Sequence, residues 1–293
     1  MCINRGIALL LLAAIAVVGG SACRSKAASK TDDAAAIAHR VVSLSPSTTE
    51  TLVAIGARDA LVGRSRYCDY PPDVLSVPQV GGYTDPNFET ILALRPDLVV
   101  GARGPAGPGI ADKLATHGAR AWFPETESLA QIDLLITGLG ERTGHATEAA
   151  SVVGKLHARE DAVTAAVKSE KRPRVLLVFG LEPIVVAGNG SFPAELVDRA
   201  GGENVVKEGG HYPVLGMESV LALDPDIVLN AAIAEAHGAE RITTDSPGWK
   251  HLRAVKSAHV VALSDESVLR PGPRVGDALA IFARAIHPGV TIP

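Results

Sequence analysis

Residues 83–100 of this chain return, without a gap, as residues 212–229. Eight of the 18 aligned positions are identical, and five more exchange one apolar residue for another or Thr for Ser. Average residue usage would give roughly one identity by chance. The offset of 129 residues is far longer than the roughly 20–50-residue period of a solenoid. It therefore predicts two similar lobes. Each copy begins with a tyrosine (Tyr83, Tyr212), carries a glutamate six positions later (Glu89, Glu218) and closes on Leu-Ala-Leu-x-Pro-Asp followed by an apolar run. Two like lobes that face each other form a cleft with matching walls and matching rims.

From Arg40 onward, short β-branched runs alternate with helical patterns. Strands are expected at Val41–Leu44, Leu61–Gly63, Leu98–Gly101 and Ala119–Phe123, and again at Val175–Phe179, Ile184–Ala187, Ile227–Asn230 and His259–Leu263. Ser47 or Thr48 reads as the cap of a first helix with Glu50 in its opening turn. Further helices are expected through Lys113–Thr116 and over Ala194–Ala200, Glu218–Leu223 and Val275–Ile286. Strand–helix–strand order at this spacing predicts an α/β fold with mainly parallel sheets and crossover helices. Between the lobes, His145 to Glu170 contains no proline and places apolar residues at near-helical spacing, with Thr143 as a candidate cap. A helix of about 25 residues would span roughly 37 Å. It reads as one long strut joining two Rossmann-like lobes, a link that leaves little room for hinge motion. The expected organisation is an N-terminal lobe over 40–143, a linking helix over 144–171 and a C-terminal lobe over 172–293.

The first 22 residues read as an export signal: Arg5, an uncharged apolar stretch from Ile7 to Val18, then Gly19-Gly20-Ser21-Ala22. That stretch falls short of the about 20 residues that span a bilayer. Small residues followed by Cys23 resemble a bacterial lipoprotein signal, so Cys23 is the expected lipidation site and residues 23–39 a flexible tether. Only Cys68 then remains in the fold, which rules out a disulfide framework, and a lone cysteine reads as a small buried hydrophobe. The net charge of −4 has the wrong sign for general nucleic-acid binding.

Three groups of residues stand out as functional candidates. Tyr83 and Tyr212 follow glycine pairs and would occupy loops at the crevice of an α/β lobe, although such rings also serve as lids over a core. All four tyrosines fall in two regions, Tyr67, Tyr70 and Tyr83 in one and Tyr212 in the other. Glu89 and Glu218 lie in first helical turns, where a carboxylate stabilises the helix dipole by about 0.3–1 kcal/mol. Their repetition while their neighbours change instead points to two exposed acids that a symmetric membrane dimer could read. Arg64, Arg66, Arg103, Arg270 and Arg274 follow strand ends, and Arg66, Arg103 and Arg270 are the ligand candidates among them. The Gly138–Gly144 stretch has the wrong spacing for a dinucleotide loop, and no hydrolase, zinc or Walker motif occurs. The histidines are scattered, so no metal site is expected.

Six stretches together resemble the helical-backbone (class III) periplasmic binding proteins of bacterial ABC importers over nearly all of residues 40–290. They are Arg40–Glu50, Tyr67–Pro72, Gly81–Asn87, the two Leu-Ala-Leu-x-Pro-Asp segments, and Leu269-Arg-Pro-Gly-Pro-Arg274. The resemblance implies two α/β lobes joined by one long helix, a ligand cleft between them and no catalysis. It also implies a permease dimer with ATPase subunits as partner, and a protein that is itself monomeric and exported. It places the permease-docking acids at Glu89 and Glu218. Among family cargoes it is most similar to the cobalamin binders, in which aromatics six positions before the docking Glu line the corrin site. Those aromatics match Tyr83 and Tyr212. The chain departs in having Tyr where Trp also occurs in cobalamin binders and Arg103 where an aromatic can stand. Expected ligand residues are thus Tyr67, Tyr83, Arg103, Tyr212 and Arg270, with cobalamin as transported ligand and no resident cofactor.

Two other cargoes fit the residues. The arginines suit an anionic ferric siderophore, and Tyr67, Tyr83, His211 or Tyr212 could ligate a haem iron. The rival from another class is a hydrolase using Ser45 or Ser47, which lacks a recognisable base.

Overall fold

The computed structural model describes residues 36–103, 107–235 and 241–293; the expected export signal and Cys23 lie outside them. The chain opens with β1 (Val41–Ser43), α1 (Pro46–Ala54), β2 (Leu61–Arg64), α2 (Phe88–Ala93), β3 (Leu98–Val100), α3 (Gly107–Thr116) and β4 (Arg120–Trp122). These strands form a fully parallel sheet in the order β2-β1-β3-β4. Two helices follow, α4 (Leu129–Thr143) and α5 (Ala146–Val167), the latter 22 residues long. The second half contains β5 (Arg174–Leu181), β6 (Ile184–Val186), α6 (Phe192–Arg199), β7 (Glu203–Asn204), β8 (Val214–Leu215), α7 (Met217–Leu223) and β9 (Ile227–Asn230). It ends with α8 (Ala232–Glu235), α9 (Arg253–Lys256), β10 (Val260–Ala262) and α10 (Val275–Ile286). Its sheet runs β10-β9-β5-β6-β8, with β7 also paired to β5.

Part of this second sheet departs from the parallel pattern. β5 pairs antiparallel with β6, and β6 with β8. Only Glu182 and Pro183 separate β5 from β6, and a two-residue link can join only antiparallel neighbours.

The repeat has the same local structure in both halves. Asp97 Oδ2 accepts the Arg40 N–H at 3.0 Å, and Asp226 Oδ2 accepts the Arg174 N–H at 2.9 Å. Arg40 Nη2 donates to the Leu94 carbonyl and Arg174 Nη2 to the Leu223 carbonyl, each at 2.7 Å. The residue before the repeated Pro-Asp is left-handed in both copies, Arg95 at φ 46° and Asp224 at φ 37°. A left-handed residue followed by proline ends the helix sharply and turns the chain into the next strand.

Three apolar clusters surround the sheets. One lies on the outer face of the first sheet around Val42, Val99, Ile91 and Leu114, and one on the outer face of the second around Leu176, Val228, Val220 and Trp249. The third is continuous between the two halves, joining Val41, Leu52, Leu135 and Leu139 to Leu156, Val163, Leu177, Leu279 and Phe282. It is built by a row of packed helices, α1 on α4, α4 on α5, α5 on α10 and α10 on α6.

Local expectations needed two corrections, at the starts of α5 and α1. Thr143 does not cap α5; it ends α4, where its hydroxyl donates to the Leu139 carbonyl, and His145 occupies the cap position with its ring turned to the Thr143 carbonyl rather than to the helix N–H groups. The Gly138–Gly144 stretch, which lacks dinucleotide-loop spacing, forms the last turns of α4 and its left-handed stop at Gly144 (φ 77°). A Cβ on Gly140 would sit 2.4 Å from the Ala149 Cβ, so the missing side chain lets α4 and α5 approach closely. Finally, α1 starts at Pro46 after an extended Ser45, rather than after Ser47 or Thr48, which both lie inside the helix.

Candidate functional site

A cleft of about 910 Å³ opens at the carboxyl ends of the strands. In the first half its lining follows strand ends in turn: Ser45 after β1, Arg66 and Tyr67 after β2, Ala102 and Arg103 after β3, Thr126 and Glu127 after β4. From the second half come Phe192, Tyr212, Ala234, Glu266 and Arg270. Parallel α/β sheets present their ligand loops at this end because crossover helices occupy the faces. All five expected ligand residues, Tyr67, Tyr83, Arg103, Tyr212 and Arg270, line this one cavity.

Tyr83 and Tyr212 come from opposite halves, and each is anchored through its phenol. Tyr83 donates to the Ala102 carbonyl at 2.6 Å, and Tyr212 donates to Glu127 Oε2 at 3.0 Å. The Tyr212 ring also stands edge-on to Phe179, with centroids 5.8 Å apart. Burial, then the nearby Glu125 charge, pushes the Tyr83 pKa up to about 12. Burial and Glu127 push that of Tyr212 up as well. Both phenols are therefore held neutral. Glycines shape the approach of both rings. Gly81 is left-handed (φ 94°), and a Cβ on Gly188 would lie 1.9 Å from the Gly210 carbonyl, in the loop that carries Tyr212.

The cleft arginines are already paired. Arg66 donates to Asp85 at 2.5 Å, a contact that raises its pKa, and Arg103 donates to Glu125 at 2.5 Å. Arg270 is only 11% exposed and meets Glu50, Asp69 and Glu266. Arg274 binds both oxygens of Glu50, at 2.8 and 2.7 Å, and its guanidinium stacks on the Tyr70 ring at 4.1 Å. Glu50 is buried on α1, so this network ties the first half to the second. Arg64 is not a cleft residue: it is buried and donates to the carbonyls of Val74, Ser65, Cys68 and Leu75, fixing the segment that carries Tyr67 and Tyr70. Cys68 is buried beside it, and desolvation raises its thiol pKa to about 11.

Glu89 and Glu218 are both exposed, each at the second position of its short helix, and neither carboxylate has a partner among the described residues. The Ser45 hydroxyl meets Ser47 and Thr48 hydroxyls and accepts the Ala102 N–H, so no base touches it among the described residues. Among the described residues no His, Cys, Asp and Glu cluster could hold a metal, and no helix is long and apolar enough to cross a membrane.

Among the lining residues not foreseen from the sequence, two stand out. Glu127 follows β4 and meets Tyr212 across the halves, and Phe192 opens α6 against the cavity. The strand-end rule could have found Glu127, since it lies five residues beyond β4. Phe192 carries no comparable signal, because a phenylalanine at a helix start usually serves the core.

Residues 41–266 match the model of the family described as periplasmic binding protein. The vitamin B12-binding protein of Salmonella typhimurium is 30% identical over 239 residues, covering 81% of this chain and 86% of its own. That of Vibrio cholerae is 30% identical over 248 residues, covering 83% and 87%. Among solved structures, the periplasmic vitamin B12-binding protein of Vibrio cholerae has a TM-score of 0.73 at 29% identity, covering 85% of this chain and 96% of that one. A periplasmic haem-binding protein from Pseudomonas aeruginosa also has a TM-score of 0.73, at 28% identity, covering 87% and 95%.

Proposed function

The chain belongs to the periplasmic binding protein family, and we propose that it captures cobalamin and delivers it to the permease of an ABC importer. The observation that carries this reading is the pair of tyrosines, Tyr83 and Tyr212, set on two sides of one cleft by the two copies of a repeat. A flat macrocycle offers two faces and a long edge. Aromatic contact and apolar burial would supply its affinity, and a few polar loop groups its orientation. The vitamin B12-binding relatives support this cargo.

The charge balance favours cobalamin over the other two cargoes. A ferric siderophore needs open cationic groups, and Arg66, Arg103 and Arg270 each have a carboxylate partner. A haem held by tyrosine needs a phenolate, and burial together with Glu125 and Glu127 disfavours that state at Tyr83 and Tyr212. Cobalamin brings its own lower axial ligand and needs neither. Tyr67, Arg103 and Arg270 complete the proposed ligand surface. The protein performs no catalysis in this reading, works as a monomer and is exported by its N-terminal signal to the periplasm or cell surface, with Cys23 as a lipid anchor. Glu89 and Glu218 dock onto basic residues of the permease dimer, whose ATPase subunits drive uptake.

The direct test is to purify the protein from cells grown with cobalamin, haem and iron. Any retained ligand is then identified by absorbance and mass spectrometry. A corrinoid spectrum is expected. A Soret band would assign haem instead, and failure to bind cobalamin at micromolar concentration would remove the cobalamin reading.

A further inference from the structure

Among the described residues, the charges around the cleft leave one carboxylate without an arginine or lysine partner. Arg66, Arg103 and Arg270 are matched by Asp85, by Glu125, and by Glu50, Asp69 and Glu266. Glu127 also lines the cavity, with its side chain about three-quarters withdrawn from solvent. Its Oε2 accepts the Tyr212 phenol, a neutral donor, at 3.0 Å. Among the described residues the basic group that pairs with it is His211, whose Nδ1 lies 3.8 Å away, beyond hydrogen-bond distance. Its Oε1 has no partner among the described residues. The residue is held in place from behind, because its own N–H donates to Gln131 Oε1 at 2.7 Å and the neighbouring Leu129 N–H donates to Glu195 at 2.9 Å.

A half-buried carboxylate with one vacant oxygen is an acceptor only. It gains from a ligand that presents N–H donors and repels one that presents a second carboxylate. We infer that Glu127 is a specificity-determining residue: it selects macrocycles whose periphery carries primary amides and rejects those whose periphery carries carboxylates. This rests on the cleft being the corrinoid site. The bound ligand would donate an amide N–H to Glu127 Oε1 while Tyr212 keeps Oε2. A ligand with a carboxylate at that place would leave two like charges facing each other in a partly desolvated slot.

The test compares cyanocobalamin with its monocarboxylates, in which one peripheral amide has been hydrolysed to the acid. Kd is measured at pH 7 and low salt. For at least one monocarboxylate isomer, wild-type protein is expected to bind about tenfold or more weaker than the amide parent. Glu127→Gln, which keeps shape but removes charge, should shrink that ratio about tenfold. Tyr212→Phe, which removes the phenol donor and leaves the carboxylate fully charged, should keep the ratio or enlarge it. An unchanged ratio in Glu127→Gln, or no isomer discrimination in wild type, overturns the role of Glu127 while leaving cobalamin capture intact. A wild-type protein that binds none of the corrinoids overturns the cobalamin reading and this inference together.

Discussion

Glu50 shows how much of this structure depends on single charged side chains. It is buried on α1 and accepts hydrogen bonds from Arg270 and Arg274, more than 200 residues away in sequence. Removing one member of such a network leaves the others desolvated and unmatched, which typically costs about 3–5 kcal/mol. Glu50→Ala is therefore expected to lower the urea midpoint sharply, whereas Glu127→Gln in the same cleft region should shift it little. Similar midpoints for both would contradict the network's role. The position of Arg270 in the cleft was legible from the strand-end rule. Its partners were not, because nothing local links Glu50 to a C-terminal arginine. As a helical Glu following Ser-Pro-Ser-Thr-Thr, Glu50 reads as an ordinary first-turn acid, and only the tertiary fold shows that it is buried.

At the scale of elements, the eight longer strands and the helix over Val275–Ile286 were legible because their apolar periodicity is undisturbed, whereas the two-residue strands β7 and β8 are too short to show any. Helix α4 was not. Gly138 and Gly140 imitate a loop, yet each faces a neighbour that leaves no room for a side chain, Trp122 and Ala149 respectively. The polar seam of the helical row has a measurable consequence. Glu160 on α5 is buried, its Oε1 has no partner among the described residues, and its Oε2 lies 3.3 Å from Arg199 Nη1. Desolvation outweighs that arginine and raises the Glu160 pKa to about 7. The native state thus holds a proton that the unfolded chain releases near pH 4.5. The stability from a neutral Glu160 is full below about pH 4.5 and is lost as pH rises towards 7. Glu160→Gln should stabilise the protein at pH 8, on the order of 1–3 kcal/mol, and have little effect at pH 4.5. Paired urea melts at the two pH values would check this, and equal effects at both would refute it. Gly188 offers a second test. Gly188→Val must push the Gly210 backbone away and with it Tyr212, so cobalamin affinity is expected to fall about tenfold or more, read by ligand titration.

At the scale of the molecule, two halves with matching hydrogen bonds at Arg40–Asp97 and Arg174–Asp226 present matching outputs. Inward, each offers a tyrosine to the cleft; outward, each offers an exposed glutamate. The repeat alone makes this plan readable in the sequence. The antiparallel edge of the second sheet was not readable from the repeat, because it arises from the β5–β6 link outside the repeated segment. Glu89→Arg and Glu218→Arg should each abolish most cobalamin uptake by cells while leaving Kd for the ligand within about threefold, since neither residue lines the cleft. Loss of ligand affinity in these variants would assign the acids to binding instead. The central claim is that the twin tyrosines form the walls of a cobalamin slot. Calorimetric titration of cyanocobalamin into wild type and Tyr83→Ala/Tyr212→Ala tests it most directly. The expected result is saturable one-to-one binding by wild type and a loss of about a hundredfold or more in the double variant. Binding retained within about threefold in the double variant, or no binding by wild type, would contradict it.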